Sequence, residues 1–205
     1  EWPVGLNYRF TTISVDALRS RVYLYMGRWA DALAASKRVL AKKSALSDLN
    51  SELPNASNSV ESIIALEEVM TATYARAGKV NRDLFRAYNS NDLRRAKYYK
   101  QVTASNIQLL KGGSNNYTCS FRTGEIYLNA AEAALESGDN DEARSYLLPL
   151  MKSRYKDAYY TEREAAVNAM GTAELREEIY AERRRELAFE GHRWFDLRRT
   201  TRPEM

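Results

Sequence analysis

Four glutamates, Glu178, Glu182, Glu186 and Glu190, recur at every fourth position within the stretch Glu174 to Arg199. In a helix that spacing places them in one column along a single face. Leu175, Ile179 and Leu187 fall on the same side or close to it. A solvated helix keeps its carboxylates opposite its apolar stripe. Here the two overlap, so the carboxylates are expected beside a core, where charge is costly unless paired and hydrogen-bonded. Arginines stand at pairing distance along the helix: Arg185 follows Glu182 by three residues, Arg193 follows Glu190 by three, and Arg183 precedes Glu186 by three. The reading is an ionic network built into a packed helical end, in a helix broken at Gly191 and resumed after it.

The rest of the chain is organised around helices. Residues 1–11, with Pro3 and Gly5, have no period and read as an irregular lead-in. From Ile13 a helix is expected with Ala17, Leu18, Val22, Tyr25 and Met26 on one broad stripe, stopped by Gly27. A second helix follows with Trp29, Leu33, Ser36 and Leu40 inward, and the short link makes the pair antiparallel. The Ser- and Asn-rich residues 44–59 read as a loop. The run Val60 to Leu66 fits either a short strand or a helical turn. Asn81 is placed to cap a helix through Leu84, Phe85 and Tyr88, and Gly112-Gly113 mark another loop. Arg122 to Leu135 is strongly helical, with a small-residue face at Ile126, Ala130, Ala133 and Ala134. Gly138 closes it, and Asp139 with Glu142 forms a capping-box pattern for the next helix. Thr172 is expected to cap the final helix, with Glu174 in its first turn. Segments 13–42 and 123–152 echo one another: helix, Gly turn, and helix with Ala five residues past the Gly. They resemble tetratricopeptide hairpins separated by far more than one repeat, which argues against a simple solenoid and for a scaffold displaying the intervening loops.

Composition narrows the chemistry. Net charge is +4, but the densest basic run, Arg183-Arg184-Arg185, is interleaved with Glu182 and Glu186, unlike a phosphate-tracking patch. Cys119 is the only cysteine, so there is no internal disulfide framework and no cysteine-based zinc site. His192 is the only histidine, so any Ser–His or Cys–His device would run through it; its place between Gly191 and Arg193 favours a structural or solvent-facing role. No phosphate-cradling Gly loop occurs. The acidic column is read as ion pairs rather than as a metal site or a glycosidase acid pair, and Asp92 with Arg94 and Arg95 likewise. No catalysis, metal or cofactor is expected. The 14 tyrosines suit helix–helix packing or, where exposed, sugars, peptides and flat ligands.

Four stretches, in order, resemble the SusD/RagB nutrient-binding lipoproteins. They are Ala17 to Ala32 with its Val-Tyr-Leu-Tyr-Met-Gly-Arg-Trp core, Asp92-Leu-Arg94, Arg122 to Ala133 with its Glu-Ile-Tyr-Leu core, and Ile179 to Arg199. The resemblance implies a mainly α-helical protein (all-α), with tetratricopeptide-like hairpins and long irregular loops in an α-α superhelix. It implies residues 1–205 as the C-terminal part of such a domain, with hairpins at about 13–42 and 123–152 and the signature helix at about 174–199. It further implies a lipid-anchored protein on the outer surface of a Bacteroidetes-type outer membrane, the lipid-carrying Cys lying outside these residues. Such proteins capture glycans or peptides without catalysis and pass them to a SusC-like TonB-dependent transporter. Family motifs of this kind are structural and transfer no ligand residues. By residue type and loop context the candidates for ligand contact are Trp2, Tyr8, Tyr74, Tyr88 and Tyr117. The competing readings are an intracellular tetratricopeptide-like scaffold for protein partners, a helical-toroid glycoside hydrolase and a basic nucleic-acid binder.

Overall fold

In α1 (Thr12–Tyr25) the chain enters its first helix through a reciprocal cap: Thr11 Oγ1 accepts from the Ser14 N–H at 3.2 Å, and Ser14 Oγ accepts from the Thr11 N–H at 2.7 Å. The helix stops at Gly27, whose φ of 69° is left-handed, and α2 (Trp29–Leu40) returns antiparallel to it. The computed structural model describes residues 7–66, 79–111 and 120–201, which hold nine helices and four short strands. The fold is mainly helical. Among the described residues no helix is long and apolar enough to cross a membrane.

The second hairpin is α5 (Thr123–Glu136) and α6 (Asn140–Lys152), turned at Gly138 with φ 91°. Asp139 caps α6 by accepting the Glu142 N–H at 2.8 Å. The return half of the expected box is absent, because the Glu142 carboxylate is occupied by Lys37 at 2.6 Å and the Tyr146 hydroxyl at 3.2 Å. Although about eighty residues separate the hairpins in sequence, α2 packs directly on α5. Leu24, Ala32 and Ala133 meet between them, and Asn129 donates to the Ser20 hydroxyl at 3.0 Å. The pairs echoing each other in sequence therefore stack in space, with the insertion looped out.

The stripe expected on α1 is displaced. Ala17 is buried, but Leu18, Val22 and Met26 face outward, and the buried positions are Ser14, Asp16, Ala17, Ser20 and Leu24. Apolar residues are spread round the helix among Ser14, Asp16, Arg19, Ser20 and Arg21, so periodicity did not identify which side meets α2 and α5. In α2 the fully buried set is Ala32, Ala35, Ser36 and Val39, with Trp29, Leu33 and Leu40 half-buried at its edges.

Between the hairpins lie β1 (Ser62–Ile64), α3 (Arg82–Arg86), α4 (Leu93–Tyr98), β2 (Tyr99–Gln101), β3 (Ile107–Leu109) and β4 (Phe121–Arg122). The Val60 to Leu66 run resolves as a strand: β1 pairs antiparallel with β4, with a register shift between Ser62 and Ile64. β2 and β3 form a hairpin, and Asp92 bridges to Tyr155. Asn81 caps α3 by accepting the Asp83 N–H at 2.7 Å. A second core gathers Val80, Phe85, Tyr88, Tyr98, Tyr99, Ile107 and Leu109.

The C-terminal part is α7 (Asp157–Ala169), α8 (Thr172–Glu186) and α9 (Arg193–Thr200). No apolar period announces α7, and Val167 is its one fully buried residue. Thr172 is the first residue of α8 rather than its cap. Glu174 accepts the Gly171 N–H at 3.0 Å, and Thr172 Oγ1 accepts from Asn140. The break in the signature helix starts at Leu187, before Gly191, because Phe189 at φ 64° turns the chain over. That turn sends the Phe189 ring against Tyr99, 6.3 Å between centroids.

Candidate functional site

α5 is the axis of the molecule: twelve of its fourteen residues are buried, including Glu125, Asn129 and Glu132. A helix buried on all sides must supply partners for its own polar groups. Arg21 Nε and Nη2 hold Glu125 at 2.6 Å, Arg183 Nη1 donates to Asn129 Oδ1 at 2.6 Å, and Arg199 pairs with Glu132. Arg183 also donates through Nε to Asp196 at 2.9 Å, and Asp196 in turn accepts from Arg199.

The acidic column forms the centre of a larger network. Glu186 accepts from three arginines: Arg122 at 2.6 Å and Arg154 at 2.9 Å on Oε1, and Arg94 at 2.9 Å on Oε2. Glu182 accepts from Arg94 at 2.6 Å, from Arg185 at 2.7 Å and from the Tyr155 hydroxyl at 2.7 Å. Glu190 accepts from Lys111 at 2.6 Å and from Arg122 at 2.8 Å. Glu61, delivered by the turn into β1, bridges Arg122 and Arg154 and also accepts the N–H groups of Ser47 and Gly124. Asp92 completes the set with a two-oxygen grip on Arg94. Five carboxylates and five cations thus neutralise one another in an interior where Glu61, Arg94, Arg154, Glu182 and Glu186 are fully buried.

Glu182, Glu186 and Glu190 are held ionised by their partners, whereas burial pushes the Asp92 carboxyl above its ordinary pKa against the pull of Arg94. Burial alone would raise the Glu182 pKa, but Arg94 and Arg185 hold it at about 2. Glu190 lies at about 2 on the same balance with Arg122 and Lys111, and Glu125 at about 2 with Arg21. Glu186 is pulled well below the usual range by Arg154, Arg122 and Arg94 against its own desolvation. His192 caps the break between α8 and α9. Burial lowers its pKa to about 4 despite Glu125 nearby, so it is neutral at pH 7.

A pH dependence follows. Depressed carboxylate pKa values mean that the unfolded chain binds protons first, so stability is present above about 4.5 and is lost as pH falls towards about 2, on the order of 3 kcal/mol per buried carboxylate. His192 adds a loss of the same sign, comparable to that of one carboxylate, between its ordinary 6.5 and about 4. The urea midpoint is expected to decline from pH 6.5 and to collapse before pH 2. In His192→Gln the decline should begin nearer pH 4.5. A midpoint flat from pH 7 to 3 would show the network to be solvated.

On the outer side of α8 a polar cleft of about 310 Å3 opens to solvent. Arg86, Asn89, Tyr159 and Arg163 line it, and Glu178, Arg185, Asp92 and Tyr155 form its floor. Glu178 fixes both cations, Arg163 at 2.8 Å and Arg185 at 2.9 Å. Tyr159 stands edge-on to Tyr155, 5.3 Å between centroids. The cleft offers arginine and amide hydrogen-bond donors, the Tyr159 hydroxyl and an aromatic wall, the Tyr155 hydroxyl being spent on Glu182, a surface suited to a hydroxyl-rich ligand.

The sequence pattern of the SusD family matches residues 23–205. The chain belongs to the SusD family. Among solved structures, this SusD-family chain is similar to a SusD-like carbohydrate-binding protein from Bacteroides vulgatus, with a TM-score of 0.75 and 21% identity over 94% of this chain and 46% of that one. It is also similar to a SusD superfamily protein from Bacteroides thetaiotaomicron, with a TM-score of 0.72 and 24% identity over 93% and 50%. A third is surface glycan-binding protein A from Bacteroides uniformis, with a TM-score of 0.73 and 18% identity over 98% and 52%. The chain spans about half the length of these relatives. No curated protein matches it.

The stretches carrying the family resemblance are those that build the ionic interior. They contribute Arg21, then Asp92 and Arg94, then Arg122 and Glu125, then Glu182 through Arg199. Of the seven residues expected in the network, Glu182, Glu186 and Glu190 lie at its centre, while Glu178 and Arg185 join it at the cleft. Two pairings differ. Arg183 points away from Glu186 to Asp196 on α9, and Arg193 is exposed, because Glu190 is already held by Arg122 and Lys111. The members that spacing did not indicate are Glu61, Lys111, Arg122 and Arg154. Their ion-pair partners lie 32 to 93 residues away and on separate elements, so no local pattern marks them.

The tyrosine candidates fare differently. Tyr8 is exposed, with Arg9 over its ring at 5.8 Å. Tyr88 is fully buried in the second core, donating to the Arg185 carbonyl at 2.7 Å and accepting from Tyr99 at 3.1 Å, so neither ring face is open to a ligand. Trp2, Tyr74 and Tyr117 lie outside the described residues, as do Gly112, Gly113 and Cys119. Tyr155 and Tyr159, absent from the expected set, line the cleft because the link before α7, bridged to Asp92, places Tyr155 there and the first turn of α7 places Tyr159.

Proposed function

We propose that this chain is part of a non-catalytic protein that binds extracellular glycan at the outer-membrane surface and delivers it to a SusC-like TonB-dependent transporter. The observation that carries this reading is membership of the SusD family across residues 23–205. Two structural relatives named for carbohydrate or glycan binding support it. The interior carboxylates, which a hydrolase would need free, are engaged by arginines, and this favours binding over turnover.

The polar cleft is the part of this half best suited to touch a sugar, through Tyr159 and the donors of Asn89 and Arg163. Titration calorimetry against a glycan panel is expected to find a ligand whose affinity falls about tenfold in Tyr159→Ala, the loss of one aromatic contact. Affinity unchanged in that variant would place the ligand elsewhere. Incubation with the same glycans should release no reducing ends, and release would replace binding by hydrolysis. The complete reading frame is expected to begin with a signal peptide ending in a lipidated Cys and to lie beside a transporter gene. A cytoplasmic start would favour the intracellular scaffold instead.

A further inference from the structure

A second groove, of about 230 Å3, runs between α8 and α9 beside the polar cleft. Its α8 wall carries Glu177, Ala181 and Arg184, and its α9 wall carries Arg193, Leu197 and Thr200. Each set is spaced by four and then three residues, the repeat of one helical face. The turn at Gly191 sends α9 back along α8, as the Arg183–Asp196 pair shows. Arg184 and Arg193 therefore share one end of the groove. Glu177 stands at the other end, seven residues or about 10 Å along α8. Ala181 and Leu197 make the middle of the groove apolar.

Arg176, Arg183, Arg185 and Arg199, on the same two helices, each hold a carboxylate. Arg184 and Arg193 hold none among the described residues. They act on each other instead: burial and the nearby Arg184 push the Arg193 guanidinium below its ordinary pKa. An oxyanion placed between two such groups removes a repulsion and gains two charge-assisted contacts, and the planar fork of a guanidinium matches the oxygens of a carboxylate or a sulfate. The groove also shares Ala87 and Arg185 with the polar cleft, so the two meet along one edge.

We infer that this groove is an oxyanion subsite that selects acidic glycans. It takes the carboxylate or sulfate of one sugar unit between Arg184 and Arg193, while a neighbouring unit lies in the cleft at Tyr159. The inference rests on the glycan reading of that cleft and adds a charge requirement to it.

Calorimetry on the 205-residue chain with matched sugars tests it: an oligogalacturonide against its methyl ester, sialyllactose against lactose, and a carrageenan oligosaccharide against its desulfated form. At least one acidic member is expected to bind at least about tenfold more tightly than its neutral twin, the first two pairs reporting a carboxylate and the third a sulfate. That preference should vanish in Arg184→Gln and in Arg193→Gln with the melting temperature unchanged, because neither side chain holds a carboxylate among the described residues. Tyr159→Ala should weaken both twins alike. Equal affinity for the twins, or a preference that survives both arginine substitutions together, overturns the inference and leaves the cleft reading standing. Should no member bind, the cleft reading fails, and the groove is judged on inorganic sulfate by nuclear magnetic resonance. Shifts of the Arg184 and Arg193 Nε–H signals, with those of Arg176 and Arg199 unmoved, then uphold the oxyanion site, and unshifted signals overturn it.

Discussion

Glu186→Ala is expected to lower the melting temperature by about 10 °C or more. Removing this carboxylate leaves Arg94, Arg122 and Arg154 facing one another in a fully buried space with their shared acceptor gone. Breaking a buried pair in this way costs about 3–5 kcal/mol, because the surviving charge stays desolvated and unpaired. Here three guanidinium groups are affected at once, and Lys111, which donates to the Glu186 carbonyl, sits close by. For a domain of this size each kcal/mol moves the midpoint by roughly 2–4 °C. The comparison variant is Glu178→Ala. It also removes a carboxylate from two arginines, but at the partly open cleft, and is expected to cost about 1 kcal/mol or less. Thermal melts followed by circular dichroism distinguish the two. Equal, small shifts would mean that the centre of the network is as well hydrated as its edge.

Gly124→Ala is expected to destabilise, against the ordinary rule for helices. Alanine in a helix interior is favoured over glycine by about 1 kcal/mol. Gly124 lies in the first turn of α5, beneath the network, and a Cβ there would overlap Arg122 Nη1 and stand 2.9 Å from both Glu186 Oε1 and Glu61 Oε2. Side-chain ends can usually move aside, but these are locked from opposite directions: Arg122 is held by Glu61, Glu186 and Glu190 together. Overpacking of this kind costs about 1–3 kcal/mol, and a displaced buried pair adds to it. The net expectation is a loss of about 2 kcal/mol in urea unfolding. A variant as stable as the parent, or more so, would show that the network has room to rearrange.

The two variants touch the same centre from opposite elements, and they bear on what the family signature does. The matching stretches hold a charged interior together and give the cleft Asp92 and Arg185 of its floor, while the residues that line its open side, Arg86, Asn89, Tyr159 and Arg163, lie outside those stretches. This separates the motif that identifies the chain from the residues that would select a glycan.

Much was legible in the residue order. Both hairpins, the caps at Asn81 and Asp139, the turns at Gly27 and Gly138, and a column of carboxylates beside apolar residues are all properties of neighbours within a few positions. Steric limits on φ, the helical period and local capping bonds act over that range, so a sequence displays them directly. The tertiary structure decided the rest. Only the packed chain brings Glu61 to Arg122 and Arg154, and Lys111 to Glu190, across separations that no spacing rule spans. Only packing buries Tyr88 and turns Leu18, Val22 and Met26 outward on a helix whose apolar residues are spread round its circumference. The four-residue rhythm of Glu178 to Glu190 showed that these charges would need partners; which cations answer was decided by where α4, β4, the turn after α6 and the Lys111 turn come to rest, because an ion pair in a dry interior depends on distance in space and not along the chain.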